Sequence, residues 1–215
     1  MASEPIGIVV GLKAEARIAR RLGWRVAVGG GTAAGAMTAA RALLAEGVEA
    51  LVSFGLAGGL APALRPGDVL VPAAVLAGGL YAADPSLRRR LRGGPDGGTL
   101  LGAEAAAVTA RQKALLFHET GALAVDLESG AVAHAAAGAQ RPFAVLRAIC
   151  DPAGRDLPPA AMAGLADSGA MRPDRVLASL ARRPRQLSAL LALGRDAAAA
   201  RRALVARVEA ITCGR

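Results

Sequence analysis

Three carboxylates stand just after short apolar runs, and their placement defines the chemistry open to this chain. Glu15 follows Ile6-Gly7-Ile8-Val9-Val10, Glu128 follows Ala122 to Val125, and Asp151 follows Phe143 to Ile149. Such runs suit strands buried on both faces of a parallel sheet. Open α/β sheets bind ligands at the carboxyl ends of their strands, so the three acids are expected along one edge. A buried carboxylate is costly without a partner, and in a cleft that partner can be a ligand. No histidine or lysine stands beside them as a nucleophile. The set therefore points to acid/base chemistry and hydroxyl binding rather than to a covalent intermediate. Two of the acids also have a plainer reading: Glu15 as a solvated helix carboxylate, Asp151 as an N-cap or turn residue.

Two glycine clusters add to this. Gly55-Leu56-Ala57-Gly58-Gly59 follows the apolar run Ala50 to Phe54 and reads as a loop whose backbone can approach a ligand closely. Gly29-Gly30-Gly31-Thr32 follows Arg25 to Val28 and matches the dinucleotide fingerprint only loosely. It comes after the second strand rather than the first, and Ser53-Phe54 stand where that fold needs an acid, so a dehydrogenase is not expected. What remains is a tight turn, or an anion site formed by Gly30, Gly31 and Thr32 at a helix N-terminus, with Lys13 or Arg17 nearby to hold phosphate.

The elements that must position these residues alternate along the chain. Strands are predicted over residues 6–10, 25–28, 50–54, 69–71, 99–101, 122–125 and 143–149. Helices are predicted from Gly11 to about Leu22, from the Thr32 cap to about Glu46, over Ser86 to Leu91 behind Asp84-Pro85, over Ala110 to His118, and from Leu127 to about Ala139. This alternation predicts a three-layer α/β/α sandwich. The domain spans residues 1–171, and 172–215 form a basic helical C-terminal extension packed on it.

Composition narrows the class. The 215 residues are 53% hydrophobic but only 2% aromatic, so the core is built from Ala, Val and Leu. No apolar run is long enough for a transmembrane helix, and the N-terminus lacks the features of a secretory signal, so a cytoplasmic protein is expected. Cys150, Cys213 and two histidines do not make a disulfide framework or a credible zinc site; no metal is expected. Residues 172–215 hold ten arginines against Asp174, Asp196 and Glu209, and so contribute +7 of the net +9. With so few aromatic platforms for bases, that charge does not predict nucleic-acid binding.

Several motifs in order resemble methylthioadenosine/S-adenosylhomocysteine nucleosidases of the nucleoside phosphorylase superfamily. They are Ile6 to Glu15, Gly55 to Pro62 with Gly67-Asp68-Val69, Val125-Asp126-Leu127-Glu128-Ser129-Gly130, and Leu146 to Asp151. The resemblance implies that Glu15 activates water, that Glu128 grips the ribose hydroxyls beneath Leu127, and that Asp151 protonates the purine at N7. It also implies substrate contacts from Asp126, Leu56, Gly58, Val108 and Cys150, a homodimer, and no cofactor beyond phosphate as a possible co-substrate. The chain departs from that family at Leu56 and Cys150, where it usually has serine, and at Ala107-Val108, where no ring is present to stack on the base. Leu177, Leu180, Leu187, Leu190, Leu191, Leu204, Val208 and Ile211 recur at helical spacing beside the arginines. Basic amphipathic helices of this kind can lie on anionic membranes. Together these features look like the hopanoid-associated branch, which releases adenine from adenosylhopane to give ribosylhopane. The implied partner is an adenine nucleoside, lipid-linked in the hopanoid-associated branch, with peripheral membrane contact through the C-terminal helices. The other readings left open are a methylthioadenosine/S-adenosylhomocysteine nucleosidase, a phosphate-dependent phosphorylase, and an inactive nucleoside- or lipid-binding protein.

Overall fold

The computed structural model describes residues 5–164, 178, 179, 182 and 184–214. The proposed domain boundary at 171/172 and the residues Leu177 and Leu180 lie outside them. Strands β1 (Ile6–Val10), β2 (Arg25–Val28), β3 (Ala50–Gly59), β4 (Val69–Leu70), β5 (Ala74–Leu76), β6 (Leu80–Ala82), β7 (Thr99–Gly102), β8 (Ala124–Asp126) and β9 (Phe143–Asp151) form one nine-stranded mixed sheet. Its main path runs β2-β1-β3-β8-β7-β5-β6, with β9 on the other side of β3 and β4 beyond it.

The alternation of side chains across the central strands builds the layers. Ile6, Ile8 and Val10 of β1, Val52 and Phe54 of β3, and Leu146 and Ala148 of β9 face one side. They meet Ala16, Ile18 and Ala19 of helix α1 (Lys13–Ala19), Leu87 of α3 (Pro85–Arg90), and Ala200, Leu204, Val208 and Ile211 of the C-terminal helix α7 (Leu187–Cys213). Val9, Leu51, Val145 and Ile149 face the other side. There they meet Ala36, Ala40 and Leu43 of α2 (Ala33–Ala45) and Val132, Ala133 and Ala136 of α5 (Ser129–Gly138). Helix on sheet on helix is the three-layer sandwich expected from the alternating pattern. Helices α4 (Ala110–Thr120) and α6 (Pro159–Gly164) complete the described elements.

Local signals place the ends of these helices. The Thr32 side chain accepts the Gly35 N–H at 3.1 Å, and Asp84 accepts the Leu87 N–H at 2.8 Å ahead of Pro85. Gly29 and Gly35 are in close contact, since a side chain on Gly35 would run into the Gly29 carbonyl. The second glycine cluster is therefore needed for packing the start of α2.

Three features differ from the sequence reading. The stretch Gly55 to Gly59 is strand, not loop: β3 continues through it because β9 pairs with it in parallel as far as Gly58, and β8 pairs antiparallel with Gly58 and Gly59. Residues 74–76 and 80–82 form a β5–β6 hairpin that the sequence pattern did not reveal. The seam of α7 is core rather than membrane-facing: Leu204, Val208 and Ile211 are buried and pack on β9 and its neighbours. Among the described residues no helix is long and apolar enough to cross a membrane.

Candidate active site

The far end of β3 lies between two acid-bearing strands. Gly58 pairs with Val125 of β8 on one side and with Asp151 of β9 on the other. Asp126 and Glu128 thus emerge beside one flank of β3, and Asp151 beside the other. Asp151 is the last residue of β9, not a residue beyond it. A bulge opposite Ala57 and Gly58 leaves Cys150 as the extra residue and re-aims Asp151 toward Gly58. Absent side chains make room for the charged groups. A Cβ on Gly58 would sit 3.5 Å from Asp151 Oδ2, and one on Gly11 only 2.9 Å from both oxygens of Glu128. One on Gly55 would strike Arg147 Nη1 and come within 2.9 Å of Glu15 Oε1.

Glu15 occupies the N3 position of α1, and the backbone holds its carboxylate. Oε2 accepts the Gly11 N–H at 3.1 Å and the Leu12 N–H at 2.9 Å, and Oε1 accepts the Leu56 N–H at 3.2 Å. Burial raises its pKa above the usual carboxylate range, while Arg147 and those three amides pull the other way. Glu15 is thus a buried carboxylate fixed by the backbone rather than a solvated helix carboxylate.

Arg147 connects the acids, and sequence reasoning missed it as a site residue. It is 1% exposed in the middle of β9. Its Nε lies 2.5 Å from Asp126 Oδ2; its Nη2 donates to Ser53 Oγ at 2.7 Å and Ser129 Oγ at 3.2 Å, and reaches Glu128 Oε2 at 3.5 Å. Burial alone would lower its pKa, but Asp126, Glu128 and Glu15 outweigh that and keep the guanidinium charged. The available signal was an arginine inside an otherwise apolar strand run, since a buried charge needs partners.

Asp126 is consumed by this scaffold. Oδ1 accepts the N–H groups of Glu128 (3.1 Å) and Ser129 (2.9 Å), and Oδ2 takes the Ser129 hydroxyl and Arg147. It ties down the turn that leads into α5 and anchors Arg147, so all four of its acceptor sites are used within the chain. Glu128 is the opposite case. It is 6% exposed, and among the described residues its Oε1 has no hydrogen-bond partner. Burial first, opposed by Arg147 and reinforced by Glu15 and Asp126, lifts its pKa to about 7. The Gly31 amide lies close enough to favour the anion.

Asp151 is likewise buried, with Oδ1 unpartnered among the described residues and Oδ2 2.6 Å from Lys113 Nζ. Burial raises its pKa and Lys113 opposes the rise. Lys113, fully buried on α4, is the second residue missed from sequence; it sits among ordinary helix formers and carries no local mark.

The remaining assignments divide. Leu127, between Asp126 and Glu128, is half-buried. Val108 is tied to the segment after Asp151, since its carbonyl accepts the Leu157 N–H at 2.8 Å. Leu56 reaches the site through its backbone N–H alone, because its side chain packs in the α1/α7 cluster. Cys150 departs from the sequence reading: its side chain packs in that same cluster, away from the face of Arg147, and burial, then the charge of Asp151, pushes its thiol up to about 12. No ring sits at Ala107-Val108, but Phe117 of α4 packs beside Leu60, Ala107 and Val125. In the suspected anion site Gly30 and Gly31 have φ of 79° and 77°, Thr32 Oγ1 is used by Gly35, and the anion beside Gly31 is Glu128 itself. Lys13 and Arg17 are exposed on α1.

One sheet edge thus gathers three buried carboxylates, two of which keep an oxygen without a hydrogen-bond partner among the described residues, which makes it a candidate site for a ligand that donates hydrogen bonds. The chain belongs to the phosphorylase superfamily, whose family model matches residues 15–182. No curated protein matches it. Among solved structures it is similar to S-adenosylhomocysteine nucleosidase from Streptococcus pyogenes, in complex with 5-methylthiotubericidin, at 21% identity and TM-score 0.64, covering 72% of this chain and 86% of that one. It is also similar to 5′-methylthioadenosine/S-adenosylhomocysteine nucleosidase from Helicobacter pylori, at 17% identity and TM-score 0.67 over 97% of this chain and 99% of that one. A futalosine hydrolase mutant from the same organism matches at 19% identity and TM-score 0.64, covering 72% and 90%. These likenesses establish the fold, including the helical C-terminal extension.

Proposed function

We propose that the protein cleaves the N-glycosidic bond of an adenine nucleoside and releases adenine. The observation that carries this reading is a pair of buried carboxylate oxygens without hydrogen-bond partners among the described residues, Glu128 Oε1 just past β8 and Asp151 Oδ1 at the end of β9, on the two flanks of Gly58. Glu128 accepts hydrogen bonds from the ribose hydroxyls. Its charge also opposes the positive charge that builds on the sugar as the bond breaks. Asp151 delivers a proton to N7, which turns the purine into a neutral leaving group. Glu15 takes the proton of the attacking water. Each of its oxygens already accepts backbone N–H bonds, yet an ionised carboxylate has about four lone-pair sites, so one remains for water.

Water is the favoured nucleophile. The Gly30-Gly31-Thr32 turn is occupied by Glu128 and Gly35, and Lys13 and Arg17 point to solvent rather than closing a phosphate pocket. An adenine-release assay with and without phosphate tests this: a strict phosphate requirement would make the protein a phosphorylase.

For the substrate we propose adenosylhopane, on the resemblance to the hopanoid-associated branch. Support comes from the basic C-terminal segment and from Leu187 and Leu191, which remain exposed on α7 after its seam is buried. These residues and the arginines provide any peripheral membrane contact of a cytoplasmic homodimer. Competing turnover of adenosylhopane and methylthioadenosine decides the point, and a preference for methylthioadenosine would return the protein to the general nucleosidase class. Binding of adenine nucleosides without turnover, unchanged in Asp151→Asn, would mark an inactive binding protein.

A further inference from the structure

Lys113 lies outside every motif that marks the site, yet its side chain forms an ion pair with Asp151. Its Nζ contacts Asp151 Oδ2 at 2.6 Å and donates to the carbonyls of Pro152 at 3.0 Å and Arg155 at 2.8 Å. An ammonium has three donors, and these acceptors use all of them. The segment after Asp151 is fastened twice more at the start of this helix, by the Ala110 N–H on Asp156 Oδ1 at 2.7 Å and by the Leu157 N–H on the carbonyl of Val108, just ahead of it, at 2.8 Å. Helix α4 therefore holds the end of β9 and the residues beyond it, with a buried cation at the centre of the contact.

We propose that Lys113 is a positioning residue for the reaction, gripping Asp151 through Oδ2 so that Oδ1 is the oxygen that hands its proton to the purine. This rests on the reading of Asp151 as general acid. As the C1′–N9 bond breaks, its electron pair passes into the purine and the proton on Oδ1 moves to N7. Water adds its oxygen to C1′ and loses a proton to Glu15; Glu15 then releases that proton to solvent and solvent returns one to Asp151, so both carboxyls regain their starting states. The carboxylate that forms on Asp151 faces the Lys113 ammonium. That charge-assisted contact is stronger after proton transfer than before it, so it acts on the transition state more than on substrate binding. The other charged groups facing Asp151 are Arg155 from the following loop and Asp196 from α7, which pair with each other; Glu15 of α1 acts on the neighbouring Cys150.

The chain has two lysines, so isotope-labelled lysine gives one signal from buried Lys113 and one from exposed Lys13 as an internal reference. In the wild-type protein the Lys113 side-chain signal should follow the titration of Asp151, and Asp151→Asn should abolish that response while Lys13 stays unchanged. Lys113→Gln keeps amide donors for the two carbonyls but removes the charge. Its kcat for adenine release should fall about 10- to 100-fold with KM altered less than about threefold, a part of what a general acid contributes. The alkaline limb of kcat/KM should move to higher pH, because Asp151 keeps its proton longer without the cation. Lys113→Arg should restore the position of the limb. A Lys113 signal indifferent to Asp151→Asn, or a Lys113→Gln enzyme with wild-type kcat and an unmoved limb, overturns the inference. If Lys113→Gln does not fold, the wild-type and Asp151→Asn spectra decide. Full turnover by Asp151→Asn overturns the general-acid reading and this inference with it, and is told apart because the lysine signal does not depend on turnover.

Discussion

Replacing Glu128 by Gln separates the cost of this residue to the fold from its use in the reaction. The side chain keeps its shape, and Arg147 keeps its ion pair with Asp126 at 2.5 Å. What is lost is a buried carboxylate whose pKa stands at about 7 instead of 4.5, raised chiefly by burial. A raised folded-state pKa means that the native state binds more protons than the unfolded chain between those two values. Stability therefore falls as pH rises through that window and levels off above it. The amide mimics the protonated acid, so Glu128→Gln should match the wild type near pH 5. Near pH 8 it should be more stable, by at most about 3 kcal/mol. Turnover should move the other way. Two charge-assisted hydrogen bonds to ribose hydroxyls, each about 1.5–3 kcal/mol, amount to roughly a 10²- to 10⁴-fold loss. Thermal melts at pH 5 and pH 8, paired with an adenine-release assay, measure both. A variant that turns over within threefold of wild type, or that melts lower at pH 8, would refute the assignment.

Three further outcomes follow from the same geometry. The wild-type protein without ligand should itself melt higher near pH 5 than near pH 8, since Glu15, Glu128 and Asp151 all have raised pKa values; a melting point that climbs over that range would contradict it. Gly11→Ala places a methyl 2.9 Å from both Glu128 oxygens and should lower adenine release at least tenfold while circular dichroism stays native, so an unchanged rate would show that the carboxylate position is not critical. Leu204→Ala, on the buried seam of α7, should destabilise the protein by about 2–5 kcal/mol in urea titrations; a shift below 1 kcal/mol would mean that α7 is not part of the cooperative core.

Much of this protein is legible from local sequence because local physics decides it. The strand Ile6–Val10, the Thr32 cap and the Asp84-Pro85 start of α3 lie where composition and capping chemistry put them. Glu15, Glu128 and Asp151 could be singled out because an acid at the end of an apolar run is costly without a partner. What each carboxylate meets depends on strand order and register, which no local pattern carries. Only the pairing of β3 with both β8 and β9 turns Gly55 to Gly59 into strand and sets Asp126 and Asp151 on opposite flanks of Gly58. Only the bulge in β9 sends Cys150 into the apolar cluster while aiming Asp151 at the site. Arg147 and Lys113 come from elements remote in sequence from the acids they hold. The sequence by itself therefore determined which residues could do acid/base chemistry and that they would gather at one sheet edge. The tertiary structure decided what each carboxylate can offer, because one serves as scaffold or stays open to a ligand according to which of its oxygens find partners among the described residues.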